Sequence, residues 1–251
     1  MSARSGALRR RRKPSFATRL RICWVFIVLG AGAAGYAAYL LVTLPALRVH
    51  VVEVRIDGPI VSERQVLRAA NIDRARNVWL LDTAQIARRI EAIPYVDAAT
   101  VRRVPPAQLT ITVTERELAA CVRSGTRVVS IDGNRRILQD GCGEPDAIRV
   151  VLRNAALGPP GSFATSAALA VLLADARVLR DANIGLRALS QDRFGQLVAV
   201  DDKGIQLLFG ADVDVAEKAK LVAPVLAAAS PGRVIRAIDL RAPATPTVQF
   251  R

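Results

Sequence analysis

Residues 22–44 read ICWVFIVLGAGAAGYAAYLLVTL, 23 positions without a charged side chain. At about 1.5 Å per residue this run makes a helix of roughly 34 Å, enough to cross the hydrocarbon core of a bilayer. On its N-terminal side stand Arg4, Arg9, Arg10, Arg11, Arg12, Lys13, Arg19 and Arg21 with no acidic residue among them. That loading keeps the N-terminal flank in the cytoplasm and places the chain after Pro45 outside. A cleavable signal peptide also begins basic, but its apolar region runs to only about 7–15 residues. The sharper rival is Gly30-Ala-Gly32-Ala-Ala-Gly35, which matches G-x-G-x-x-G with Glu53 18 residues further on, the pattern an oxidoreductase uses to hold NAD or FAD. A dinucleotide turn needs a strand before it and a helix with some polar surface after it, whereas this run stays apolar to Leu44. Within a membrane helix, Gly30/Ala34, Ala31/Gly35 and Ala34/Ala38 simply let another helix approach closely.

Composition narrows the function classes. The chain of 251 residues carries 36 basic and 22 acidic side chains, net +14. Eight of the basic residues lie in the tail, which leaves 28 against 22 in the remainder. An interspersed excess of that size, with aromatic residues at 4%, offers no stacking platform and excludes nucleic acid as the expected partner. The tail suits topology and attraction to anionic lipid headgroups. Cys23 falls at the cytoplasmic end of the apolar run, as a small apolar residue or a palmitoylation site. Cys121 and Cys142 both fall outside, where the compartment permits a disulfide; the pair forms one bridge across the Asp132-Gly133 turn or remains two free thiols. His50 is the lone histidine, so neither a metal set nor a Ser-His-Asp constellation is available, and no cofactor is expected. Asp201-Asp202 and Asp212/Asp214 read as solvated loop carboxylates beside turn glycines.

The external part begins with a strand over 50–57, closed by Gly58-Pro59. Ser62 with Gln65 three residues on forms a capping box before Val66, Leu67, Ala69 and Ala70, and Asn71 stops that helix. Asp82 with Gln85 repeats the signature ahead of Ile86, Ile90 and Ile93 on one helical face, and Pro94 ends it. A strand over 96–104 follows, then Pro105-Pro106, then Leu109, Ile111 and Val113 alternating with threonines at the two-residue period of a half-buried strand. In order these segments read V-x-x-V-R-I-x-G (Val51 to Gly58), S-x-x-x-V-L (Ser62 to Leu67), I-P-Y-V-x-x-A-x-V-x-R-x-x-P (Ile93 to Pro106) and L-x-I-x-V-x-E-R (Leu109 to Arg116). Behind a basic tail and one membrane helix, this strand-helix-helix-strand-strand unit resembles the POTRA domain of the FtsQ/DivIB family of bacterial cell-division proteins.

Further along, segments 127–131 and 136–139 flank Asp132-Gly133-Asn134 as a hairpin. A helix is expected over 164–179 behind Ser162 and Thr165, strands over 186–190, 196–200 and 204–209, a helix over 216–228 kinked or split by Pro224, and a last strand over 233–241. Gly204-x5-Gly210, the lysine-bearing helix and Ile238-Asp239-Leu240-Arg241 look like the family's second, β-rich domain. The resemblance departs after Arg241, where Ala242-Pro243-Ala244-Thr245-Pro246 stands instead of an aromatic residue and an Asn-Gly-like turn.

The fold class expected is α+β: a tail (1–21), a transmembrane helix (22–44), a POTRA-like domain (48–117) and a β-rich domain (118–251). The resemblance implies a non-enzymatic, single-pass scaffold of the cell (inner) membrane at the division septum, whose partners are FtsB/DivIC-like and FtsL-like bitopic proteins. Strand addition is the expected docking mode, with 234–241 as the edge. Asp239, Leu240 and Arg241 belong to the family phrase, Arg241 as an anchor for an acidic partner residue. Val248 and Phe250 share a face if the chain after Pro246 is extended, and Arg193 resembles a family partner-contact arginine. A POTRA protein of an export or envelope-assembly system shares the first domain, but would place it in tandem or before a β-barrel.

Overall fold

Ser62 starts the helix that follows Gly58-Pro59 as its sequence demands. In the computed structural model, which describes residues 16–229 and 232–251 with the side chains of 16–23, 41 and 42 left aside, its hydroxyl accepts from the Gln65 N–H while the Gln65 side chain takes the Ser62 N–H. The basic residues of the tail up to Lys13, and the side chains of Arg19, Arg21 and Cys23, lie outside what the structure describes. Helix α1 spans Phe16–Thr43, 28 residues. Gly30, Gly32 and Gly35 sit inside it, so no strand-turn-helix surrounds the G-x-G-x-x-G match and the dinucleotide reading loses its context. Among the described residues no helix is long and apolar enough to cross a membrane; the fully described part of α1, residues 24–40, is shorter than the roughly 20 residues a span needs. Its Trp24, Val25, Phe26, Ile27, Val28, Leu29, Tyr36 and Tyr39 are all more than half exposed.

Strand β1 (Val51–Asp57), helices α2 (Glu63–Ala70) and α3 (Thr83–Glu91), and strands β2 (Val96–Val104) and β3 (Gln108–Glu115) follow the expected order. The Asp82 carboxylate caps α3 by accepting the Gln85 N–H at 2.9 Å. The three strands form one sheet in the order β1-β3-β2. Leu109, Ile111 and Val113 are fully buried while the intervening threonines are not, the pattern of a strand with one face on a core.

The remaining strands build a nine-stranded sheet: β4 (Leu118–Ser124), β5 (Arg127–Asp132), β6 (Ile137–Asp140), β7 (Arg149–Leu152), β8 (Leu186–Gln191), β9 (Leu197–Asp201), β10 (Gln206–Gly210), β11 (Ile235–Asp239) and β12 (Thr247–Phe250). Across the sheet the order is β12-β11-β10-β9-β8-β7-β4-β5-β6. The pairs β4/β7, β7/β8 and β10/β11 are parallel. Helix α4 (Ala167–Asp181) links β7 to β8, and α5 (Val215–Lys220) with α6 (Val222–Ala228) links β10 to β11. Leu169, Leu172 and Leu179 of α4 and Val215 and Ala219 of α5 share a core with Val122, Ile131, Val150, Leu189, Ala199, Phe209 and Ile238 of the sheet.

Three differences from the sequence reading have physical causes. Helix α4 starts three residues later than expected because Ser166, rather than Ser162 or Thr165, accepts the capping N–H, from Leu169. The predicted 216–228 helix is two helices that meet at Leu221, since Pro224 has no N–H for the Lys220 carbonyl four residues back. The strand expected at the C-terminal edge is internal, because the segment after Pro246 forms β12 and covers it.

By backbone contacts the chain divides into two compact units. One comprises Met1–Glu53, Asp73–Leu81 and Arg102–Thr110, the other Val54–Ile72, Asp82–Val101 and Ile111–Arg251.

Candidate partner-binding surface

One flank of the nine-stranded sheet ends in β12, four residues that among the described residues pair with β11 alone. The register sets Phe250 opposite Ile235, Gln249 opposite Ala237, Val248 opposite Ile238 and Thr247 opposite Asp239, with a bulge between Ile235 and Ala237. Arg251 N–H donates to the Val234 carbonyl at 2.9 Å. By the alternation of an antiparallel ladder, Arg251, Gln249 and Thr247 then turn their backbone groups toward β11, and Val248 and Phe250 turn theirs outward. Those outward N–H and C=O groups are what an added strand would take up. The side chains of Val248 and Phe250 share one face and are half-buried, and the Arg233 guanidinium stacks 4.1 Å from the Phe250 ring centroid.

Position 210 shows why glycine ends β10. Its φ is +78°, and an added Cβ would lie 2.9 Å from Cγ of Arg241; an L side chain would meet both backbone strain and that contact. Leu240 N–H bonds the Leu208 carbonyl at 2.8 Å, which carries the parallel β10/β11 pairing past Asp239. Lys218 closes the same region from α5: it is buried, and its Nζ donates to the carbonyls of Phe209 at 2.9 Å and Ala211 at 3.1 Å.

Asp239 and Arg241 face each other. Nε of Arg241 lies 2.9 and 3.0 Å from the two carboxylate oxygens of Asp239, Nη2 pairs with Oδ2, and the Arg241 backbone N–H donates to Oδ1 at 3.0 Å. The Arg241 hydrogen bonds hold the Asp239 carboxyl below the usual range, and Asp239 raises Arg241 in turn. Asp192 also acts on Arg241 electrostatically, so the β8–β9 turn comes to the same end of the sheet. That turn is tied by Asp192, whose Oδ1 accepts from Phe194 N–H at 2.8 Å and Gln196 N–H at 2.9 Å. Arg193 lies at its tip, with its guanidinium 4.7 Å from the centroid of the exposed Phe194 ring.

The sheet end thus gathers Arg193, Asp239 and Arg241, with Val248 and Phe250 on the flank. Leu240 is fully buried in the core and presents no side-chain surface. A proline in β11 would break an internal ladder rather than an edge. Asp201 is likewise no solvated loop group: it is buried, and its Oδ1 accepts the Ile205 N–H at 2.7 Å. Cys121 of β4 and Cys142, just beyond β6, are disulfide-bonded with Cα atoms 5.6 Å apart.

Two structural devices escaped the sequence reading. Arg116 donates to the Val96 carbonyl at 2.9 Å and pairs with Asp132 at 2.7 Å and Asp97 at 2.9 Å, while neighbouring Glu115 accepts the Ile60 N–H at 3.0 Å and also the Val61 N–H. The other is Lys218. Its signal was available, since Val215, Ala219 and Val222 mark the buried face of a helix on which Lys218 falls three residues after Val215.

Comparison with known proteins fits this architecture. Residues 47–116 match the family model described as "POTRA domain, FtsQ-type", which marks that segment as a POTRA domain of that type. A protein named "Cell division protein FtsQ" from Mycobacteroides abscessus is 28% identical over 92% of this chain and 70% of its own length. One of the same name from Corynebacterium glutamicum is 27% identical over 64% and 71%, and one from Koribacter versatilis 30% identical over 31% of this chain, a match that spans only 22% of that relative. These matches support the FtsQ/DivIB family of bacterial cell-division proteins as the one this chain resembles.

Proposed function

We propose that the chain is a bitopic scaffold of the division machinery: anchored once in the cell membrane, N-terminus inside and C-terminus outside, and recruiting other division proteins at the septum through its external part. The observation that carries this reading is the FtsQ-type POTRA match at 47–116 in a chain that aligns over 92% of its length with a cell-division relative. The charge-free run 22–44 supports the anchor, as does the exposed apolar surface of α1, which is costly in water and satisfied in lipid. A POTRA-like domain over 48–117 and a β-rich domain over 118–251 then lie outside, and the fold acts by contact rather than catalysis.

The partners proposed are FtsB/DivIC-like and FtsL-like bitopic proteins. A partner segment adds as a strand to β12, main-chain hydrogen bonds supplying affinity and side chains the register. Arg193 lies at the same sheet end as Arg241, and Arg241, with 55% of its side chain accessible, is poised for an acidic partner residue beside Asp239. Topology is tested by fusing a reporter that fluoresces only in the cytoplasm. Signal from an N-terminal fusion and none from a C-terminal one is expected, and the reverse would overturn the anchor's orientation.

A further inference from the structure

The turn Asn77–Leu81 presents two large apolar side chains outward in a fixed geometry. Val78 is fully buried, yet Trp79 and Leu80 beside it are 48% and 58% exposed. The turn is not loose: the Asn77 Oδ1 accepts the Trp79 N–H at 2.9 Å, and Leu80 N–H bonds the Asn77 carbonyl at 3.0 Å. Arg103 reaches from β2 to donate through Nε to the Val78 carbonyl at 3.1 Å and through Nη2 to that of Leu81. Arg48 closes the arrangement by bridging to Asn77.

That bridge fixes where the turn lies along the chain. Arg48 follows the end of α1 by five residues, three of them in the short helical turn Pro45–Leu47. Such a connection reaches at most about 13 Å, which keeps the turn within reach of a headgroup layer about 5–8 Å deep on each side of a bilayer. The turn, the end of α1 and the 102–110 segment all belong to one compact unit. Arg48, Arg74, Arg76 and Arg102 are exposed in it, and the carboxylate of Asp73 is engaged by the Ala75 N–H at 2.9 Å and lies 3.9 Å from Arg76.

We propose that Trp79 and Leu80 form a second, interfacial membrane contact, lying in the headgroup layer of the bilayer that holds α1, with the surrounding arginines against anionic headgroups. Tryptophan pairs an apolar ring with one N–H donor and favours that layer. Each arginine adds electrostatic attraction that decays within a Debye length. The contact restrains the first external strands against the membrane surface instead of leaving them to swing on a linker. It rests on the membrane-anchor reading above.

The test uses the full chain carrying Trp24→Phe, which leaves Trp79 as the one tryptophan, in lipid nanodiscs of phosphatidylcholine and phosphatidylglycerol. Brominated lipid, with bromine near the headgroup end of the acyl chain, should quench Trp79 and cost emission intensity, and Arg74→Glu with Arg76→Glu should weaken that loss. A Trp79→Phe variant retaining Trp24 assigns the signals. Unquenched emission fully open to acrylamide would overturn the inference, and so would shielding from acrylamide without bromolipid quenching, the mark of a protein cover such as a second copy. Co-elution of protein with discs reads the anchor separately: co-elution with unquenched Trp79 fails the contact alone, whereas no co-elution fails the anchor and the contact together.

Discussion

Arg116 is held by Val96, Asp97 and Asp132 with only 10% of its side chain accessible, and Asp132 opposite it is more buried still. Removing one partner of such a pair leaves the other charge desolvated and without its cation, so Arg116→Ala should cost about 3 kcal/mol and lower the melting temperature by roughly 6–12 °C in a thermal melt. Asp175 on α4 is the converse case. It is buried, its Oδ2 has no hydrogen-bond partner among the described residues, and burial, helped by Asp212, pushes its carboxyl up to about 6. An acid whose folded value is raised binds its proton more tightly when folded, so stability is greatest below about pH 4 for this group and falls as pH rises to about 6. Asp175→Asn should therefore stabilise by on the order of 1 kcal/mol near pH 7.5, and denaturant melts should show that gain vanish toward pH 4. Sequence made Asp132 legible as a turn residue, and it is one: its Oδ1 accepts from Asn134 and Arg136. Its pairing with Arg116 was hidden because the two meet through tertiary packing, which spacing does not encode.

At the scale of elements, local chemistry was readable and pairing was not. The Ser62/Gln65 box, the Asp82 cap, the alternation of Leu109, Ile111 and Val113, and the break forced by Pro224 all arise within a few residues, and each stands in the structure. Strand β7 is four residues long between loops, too short for periodicity to distinguish. Strand β12 lies just past Pro243 and Pro246, where punctuation reads as loop, and exists because β11 offers it a ladder. The sheet end was legible only as scattered residues, since Arg193, Asp239 and Arg241 converge through the β8–β9 turn and the β10/β11 pairing. The disulfide staples the β4–β5–β6 meander across a separation of 21 residues. On the chain-entropy account such a loop stabilises by about 3 kcal/mol, so Cys121→Ser with Cys142→Ser should lower the denaturation midpoint by that equivalent, and reducing agent should do the same to the unmutated chain.

Across the whole molecule, the nine-stranded sheet has two ends with different fates. Beyond β6, Ile137 exchanges backbone hydrogen bonds with Gly161 and Ser162, so the loop before α4 covers that edge. At the other end β12 pairs, among the described residues, with β11 alone, and unpaired strand edges persist in native proteins when covered, blunted or used. On the function proposed above, partner capture falls at β12, the opposite end of the sheet from the disulfide-stapled meander. The most direct measurement is amide hydrogen exchange on the detergent-solubilised full chain, with and without the external segments of the FtsB/DivIC-like and FtsL-like proteins of the same cell. Binding should slow exchange at the outward amides of Val248 and Phe250, with those of Gln249 and Arg251 already slow in the free protein. Binding that leaves Val248 and Phe250 unprotected and protects another surface would contradict that placement.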